Sequence, residues 1–94
     1  MKKITDNLSP LLQSGSDTLI DRYTSLYFGL ARLGITINQA SRINNAISLD
    51  IEGLDYLASL EWENGEFIFF DCQELIQANP RLIFLLNQLN IGIG

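Results

Sequence analysis

The sequence predicts an α+β domain of four to five helices packed around one antiparallel β-hairpin at about residues 59–70. Three observations carry that expectation. An Asn64-Gly65 pair stands between two alternating runs, and apolar residues recur at helical spacing on both sides of it. With 94 residues, 47% apolar and 18% charged, the chain has the composition of a globular protein and the length of one domain.

Residues 1–15 are expected to form a leading arm with one short helical turn. Ser9 can cap that turn, and Pro10 suits its first position. The globular domain is then placed at residues 16–94. Its first helix is expected from Asp17 to Leu33, with Ser16 as N-cap and Gly34 just past the end. Leu19, Ile20, Tyr23, Leu26, Tyr27, Leu30 and Leu33 form its apolar stripe. A second helix is expected over Ile37–Ile47, because Thr36 and Gln39 have capping-box spacing and Ile37, Ala40, Ile43 and Ile47 make an apolar edge. A third is expected over Leu49–Ala58, with Gly53 inside it.

The run Ser59 to Phe70 is the clearest strand signal. A type I′ turn needs positive φ at both central residues, which Asn-Gly tolerates, and a two-residue loop pairs Glu63 with Glu66, Trp62 with Phe67 and Leu60 with Phe69. Leu60, Trp62, Phe67 and Phe69 then share the core face, while Ile68 and Phe70 point the other way beside Glu61. Asp71 and Glu74 suggest another capping box and a helix from Cys72 to Ala78. A last helix, Pro80–Leu89, carries Leu82, Ile83, Phe84, Leu85, Leu86 and Leu89 around most of its circumference. Such a helix is either central or buried in an oligomer, which makes Leu82, Leu85, Leu86 and Leu89 a candidate homodimer interface.

Charge is distributed unevenly. The net charge is −5, and residues 50–74 hold Asp50, Glu52, Asp55, Glu61, Glu63, Glu66, Asp71 and Glu74 with no base among them. Such a surface repels phosphate backbones and attracts basic proteins. Lys2 and Lys3 begin like a signal peptide, but Asp6, Asn7 and Pro10 interrupt any apolar run, so no export segment is expected. The run Leu82–Leu86 is far short of the roughly twenty residues that span a bilayer. Cys72 is the single cysteine, which fits a reducing, cytoplasmic setting.

Catalytic chemistry finds little support. The chain has no histidine, so the commonest general base and metal ligand is missing. Cys72 at a helix start lacks a partner base, and reads as a small residue of the first turn. In Asp50-Ile51-Glu52-Gly53-Leu54-Asp55 the glycine falls at the fourth position of a would-be calcium loop instead of the sixth. No nucleotide motif is present, and neither an enzyme nor a cofactor is expected.

The segment Leu30-Ala31-Arg32-Leu33-Gly34-Ile35-Thr36-Ile37-Asn38-Gln39-Ala40-Ser41-Arg42-Ile43-Asn44 resembles the core of the helix-turn-helix family. That resemblance implies a recognition helix, with Asn38, Gln39 and Arg42 facing base edges. The segment departs from the family pattern at Leu30, where a small residue is expected, and the domain lacks a basic footprint for phosphates.

The sequence therefore suggests a small acidic regulatory protein that binds another protein with a basic surface. A corepressor or antirepressor of a transcription regulator would fit, as would an inhibitor whose carboxylates stand in for phosphates. Glu61, Trp62, Glu63, Glu66, Ile68 and Phe70 would carry that contact, an apolar centre rimmed by acids. DNA binding through residues 30–44 and a structural homo-oligomer are the alternatives. No membrane partner is expected.

Overall fold

A computed structural model describes residues 18–94, so the expected N-terminal arm lies outside the described residues. The class is α+β, but among the described residues three helices pack on a five-stranded mixed sheet, instead of four to five helices around one hairpin. Helix α1 (Thr18–Arg32) is followed by strands β1 (Ile37–Ile43), β2 (Ala46–Ile51), β3 (Ala58–Glu63) and β4 (Glu66–Phe70). Helices α2 (Gln73–Ala78) and α3 (Leu82–Gln88) then lead to strand β5 (Ile91–Ile93). Strand order follows the chain: β1 to β4 form an antiparallel meander, and β5 pairs parallel to β4. A parallel neighbour needs a crossover connection, and α2 with α3 supplies it.

Alternation along the strands selects one buried face. Ile37 and Ala40 of β1, Ile47, Leu49 and Ile51 of β2, Ala58 and Leu60 of β3, Phe67 and Phe69 of β4, and Ile91 of β5 are all buried. Against them lie Leu19, Ile20, Tyr23, Leu26 and Leu30 of α1, Leu75 of α2, and Leu82 and Leu86 of α3. The stripe of α1 is the one its helical spacing predicts, with Tyr27 and Leu33 at its margins.

The helix expected over 37–47 is instead the β1–β2 hairpin, turning at Asn44 and Asn45, where Asn44 adopts φ 55°. A bulge explains the misleading spacing. The register shifts between Ile37 and Gln39, so Asn38 is an extra residue and Ile37 and Ala40 both reach the core three positions apart. That interval imitates a helical turn. The helix expected over 49–58 is also absent. Ile47, Leu49 and Ile51 alternate with Ser48 and Asp50 as a half-buried strand, and Gly53 takes φ 92° in the following turn, where Leu54 N–H donates to Ile51 O at 3.0 Å. Thr36 serves as a backbone acceptor for Glu52 N–H at 2.9 Å, which ties the two ends of this hairpin together.

The hairpin at 59–70 has the expected register, Glu63↔Glu66, Trp62↔Phe67 and Leu60↔Phe69. Asn64 and Gly65 both have positive φ, 51° and 80°, as a type I′ turn requires. Asp71 does not cap α2: it takes φ 59°, and Cys72 occupies the N-cap with no side-chain hydrogen bond. Asn79 donates through Nδ2 to Leu33 O at 3.1 Å, pinning the α2–α3 turn to the end of α1. Arg22 makes a second tie, with Nη1 donating to Leu89 O at 2.7 Å and its guanidinium 4.7 Å from the Phe67 ring centroid.

Tyr23 is 3% exposed, and its hydroxyl has no hydrogen-bond partner among the described residues. Burial raises its pKa well above the ordinary 10.0, with Tyr27 nearby adding to the effect. An unpaired buried hydroxyl costs about 1–3 kcal/mol, so Tyr23→Phe is expected to leave stability unchanged or raise it by about 1 kcal/mol in urea unfolding. The unfolded chain loses the tyrosine proton above pH 10 while the folded chain retains it, so stability falls as pH rises past 10. Tyr23→Phe is expected to flatten that alkaline decline, read as Tm against pH from 9 to 11. Gly65→Ala, placed at φ 80°, is expected to lower stability by about 1 kcal/mol in the same assay.

Candidate protein-binding surface

All three helices lie against the buried face, so the other face of the sheet carries no helix among the described residues. Strand alternation places Gln39, Ser41 and Ile43 of β1 on it, then Ala46, Ser48 and Asp50 of β2, Ser59, Glu61 and Glu63 of β3, and Glu66, Ile68 and Phe70 of β4. One continuous cross-strand row reads Ile43, Ala46, Glu61, Ile68, Gly92. The next row reads Ser41, Ser48, Ser59, Phe70.

The register brings together five of the six residues that the sequence singles out for protein binding. Glu61 faces Ile68, Glu63 faces Glu66, and Phe70 faces Ser59, all on the helix-free side. Trp62 points the other way, over the rim of the core, stacked on Phe67 with centroids 6.1 Å apart and 37% exposed. Ile68 and Phe70 are half-buried, with no helix of the described residues above them. Glycines explain this. The position of a Cβ on Gly94 is occupied by the Phe70 ring, and a Cβ on Gly92 would lie 3.9 Å from Ile68 Cγ1. The side chains of β4 thus lean across the bare backbone of β5. Ile43 is a part of this surface that sequence reasoning assigned to a helix edge; it is 71% exposed. The period-two run Ile47-Ser48-Leu49-Asp50-Ile51 is the signal that would have found its strand partner.

Charge on this face has one sign. Among the described residues that the register places on it, Asp50, Glu61, Glu63 and Glu66 are charged and none is basic. Ser59 Oγ donates to Glu61 Oε2 at 3.2 Å, orienting that carboxylate beside Ile68. Glu63 and Glu66 are direct cross-strand partners, a like-charge pairing that destabilises a sheet.

The other candidates separate in space. The recognition helix implied by the helix-turn-helix resemblance does not exist, because residues 37–43 form β1. Gln39 lies on the helix-free face, Arg42 on the opposite one with Nε donating to Asn44 O at 2.7 Å, and Asn38 in the bulge, so the three share no reading face. Leu82 and Leu86 are fully buried in the chain's own core and Leu85 and Leu89 are half-buried, which leaves Ile83 and Phe84 as the exposed apolar residues of α3. Cys72 is buried, with Sγ 3.5 Å from Phe69 O, and burial raises its pKa above the ordinary 9.0. Among the described residues, no three His, Cys, Asp or Glu side chains gather in a way that could hold a metal ion, and no helix is long and apolar enough to cross a membrane.

Comparison with protein-family models, with curated proteins and with solved structures finds no match for the chain.

The two faces differ in what they contribute to folding. Phe69→Ala, which empties a fully buried site, is expected to cost about 3–5 kcal/mol in chemical denaturation. Ile43→Ser on the helix-free face is expected to cost less than about 1 kcal/mol. A loss of several kcal/mol from Ile43→Ser would show that this face is covered in the free protein.

Proposed function

We propose that the chain is a small acidic regulatory protein that binds another protein and modulates it, using the helix-free face of its sheet. One observation carries the reading: Ile43, Ile68 and Phe70 share the helix-free face with Asp50, Glu61, Glu63 and Glu66, and no base is among them. Apolar side chains interspersed with carboxylates give a face that a partner can bury, and the single sign of its charge selects a basic partner. A nucleic-acid-binding regulator fits this chemistry, since its phosphate-binding surface offers basic residues for the carboxylates to occupy. Corepression, antirepression or inhibition would follow from covering or reshaping that surface.

The Glu63–Glu66 pair supports the same reading. A cross-strand repulsion that lowers the stability of the free protein is relieved when a basic group arrives between the two carboxylates. Residues that serve binding at a cost to stability are a common mark of functional surfaces.

Affinity capture from nuclease-treated lysate of the native host tests the proposal, with wild type and a Glu61→Lys/Glu66→Lys variant run side by side. A stoichiometric protein partner is expected, held at low salt, released at high salt and lost by about tenfold or more with the variant. The variant itself is expected to melt at the same or a higher temperature than wild type, because it removes the like-charge pair. Retention of the partner by the variant at wild-type strength, or recovery of nucleic acid alone when the nuclease is omitted, would overturn the proposal.

A further inference from the structure

We infer a second docking site, on the opposite layer of the molecule, where the seam of α1 and α3 receives an apolar side chain from an acidic segment of a partner protein. This inference stands independently of the sheet-face reading. The helices meet closely at Gly29, where a Cβ would occupy the space of the Leu85 side chain. Beside that contact is a surface cleft of about 400 Å³, with Gly29, Leu33, Leu85 and Phe84 in its lining. Phe84 is 71% exposed, and Ile83 next to it and Phe28 on α1 are also exposed. A large apolar side chain exposed at the edge of an apolar cleft, as Phe84 is, is the kind of feature that marks an interaction site.

Charge identifies the occupant. The bases among residues 18–94 are Arg22, Arg32, Arg42 and Arg81, and two of these, Arg32 and Arg81, line this cleft. No carboxylate lines it, although the described residues carry nine, Asp21, Asp50, Glu52, Asp55, Glu61, Glu63, Glu66, Asp71 and Glu74. A chain with this excess of acid has placed half of its described bases around one apolar cleft. Guanidinium groups at the rim of an apolar slot match a segment that presents one large apolar residue flanked by carboxylates, each able to accept a forked pair of hydrogen bonds. The slot is held open by structure already described, since Asn79 ties the α2–α3 turn to Leu33 O and Arg22 ties the end of α3 to α1. A preformed slot spares the partner the entropy of building it.

Amide chemical-shift mapping on the full chain tests the site, using as probe a helical peptide of about twelve residues with Leu at i and i+4 and Glu between them. Its Glu→Lys counterpart and a thymidine oligonucleotide serve as comparison probes. The expected result is saturable shifts at Gly29, Leu33 and Leu85 with the Glu peptide, absent with the Lys peptide and with the oligonucleotide. The amides of Glu61 and Ile68 are expected to stay in place, which separates this site from the sheet face. Arg32→Glu/Arg81→Glu is expected to weaken the Glu peptide by about tenfold or more, and Phe84→Ala to weaken it with both arginines intact. Both variants alter exposed side chains, and their unperturbed spectra report that the fold is retained. Equal binding of the Lys peptide, binding of the oligonucleotide at the seam, or no shifts at the seam with the Glu peptide would each overturn the inference.

Discussion

Helix α1 lies against the sheet through Leu19, Ile20, Tyr23, Leu26 and Leu30, and that contact orders the rest of the molecule. It covers one face of a meander whose strands alternate, so each strand must commit its odd or its even residues to the helix side. The commitment shows at every strand: Ile47, Leu49 and Ile51 in β2, Leu60 in β3, Phe67 and Phe69 in β4. A slip of one residue in any strand would expose those side chains and bury the carboxylates and serines that alternate with them. Two polar ties then fix the layer geometry, Arg22 to Leu89 O and Asn79 to Leu33 O, each joining α1 to a turn flanking α3. Among the described residues all three helices lie on that one side of the sheet.

How far the fold can be read from the sequence depends on how local its determinants are. The β3–β4 hairpin is legible to the residue, because Asn64-Gly65 fixes the turn and the turn fixes the register. Helix α1 is equally legible, because its stripe repeats over four turns. The β1–β2 hairpin is not. Its bulge at Asn38 puts Ile37 and Ala40 at a helical interval, and Thr36 with Gln39 imitates a capping box. What decides for strand is pairing with β3, a contact between residues far enough apart that periodicity within either segment does not reveal it. Strand β5 is harder still. Three residues, Ile91-Gly92-Ile93, show no period of their own and become a strand only because the crossover sets them beside β4.

The candidate site was legible in its parts and illegible in its extent. The run of carboxylates between Asp50 and Glu74 is visible at once, and the hairpin register alone groups Glu61, Glu63, Glu66, Ile68 and Phe70. Membership beyond the hairpin requires the neighbouring strands. Ile43 and Asp50 join only once β1 and β2 are known, whereas Glu52 and Asp55 leave for the β2–β3 turn. Trp62 shows the opposite error. Its alternation assigns it to the core side, where it caps the rim on Phe67, and its aromatic character gave no guide to which surface it serves. The last helix shows a related limit of periodicity: Leu82 and Leu86 are consumed by the chain's own core, and the exposed residues are Ile83 and Phe84 on the remaining side.

The two surfaces have opposite charge because the two layers have different structural duties. A helix-free sheet face must stay soluble, and alternation lets it do so with Ser, Asp and Glu between sparse apolar residues. Carboxylates in that setting would contribute to association rate and partner choice more than to affinity, which the apolar side chains would have to supply. The α1–α3 seam faces the converse demand. Its helices must approach closely at Gly29, which leaves a slot beside Leu85, and Arg32 at the end of α1 sits where the helix dipole favours a cation. Since α1 and the sheet lie between the two surfaces, an occupant of one does not obstruct the other. On the two proposals, a basic partner on the sheet and an acidic segment on the helices would be held at the same time, with α1 and the sheet between them.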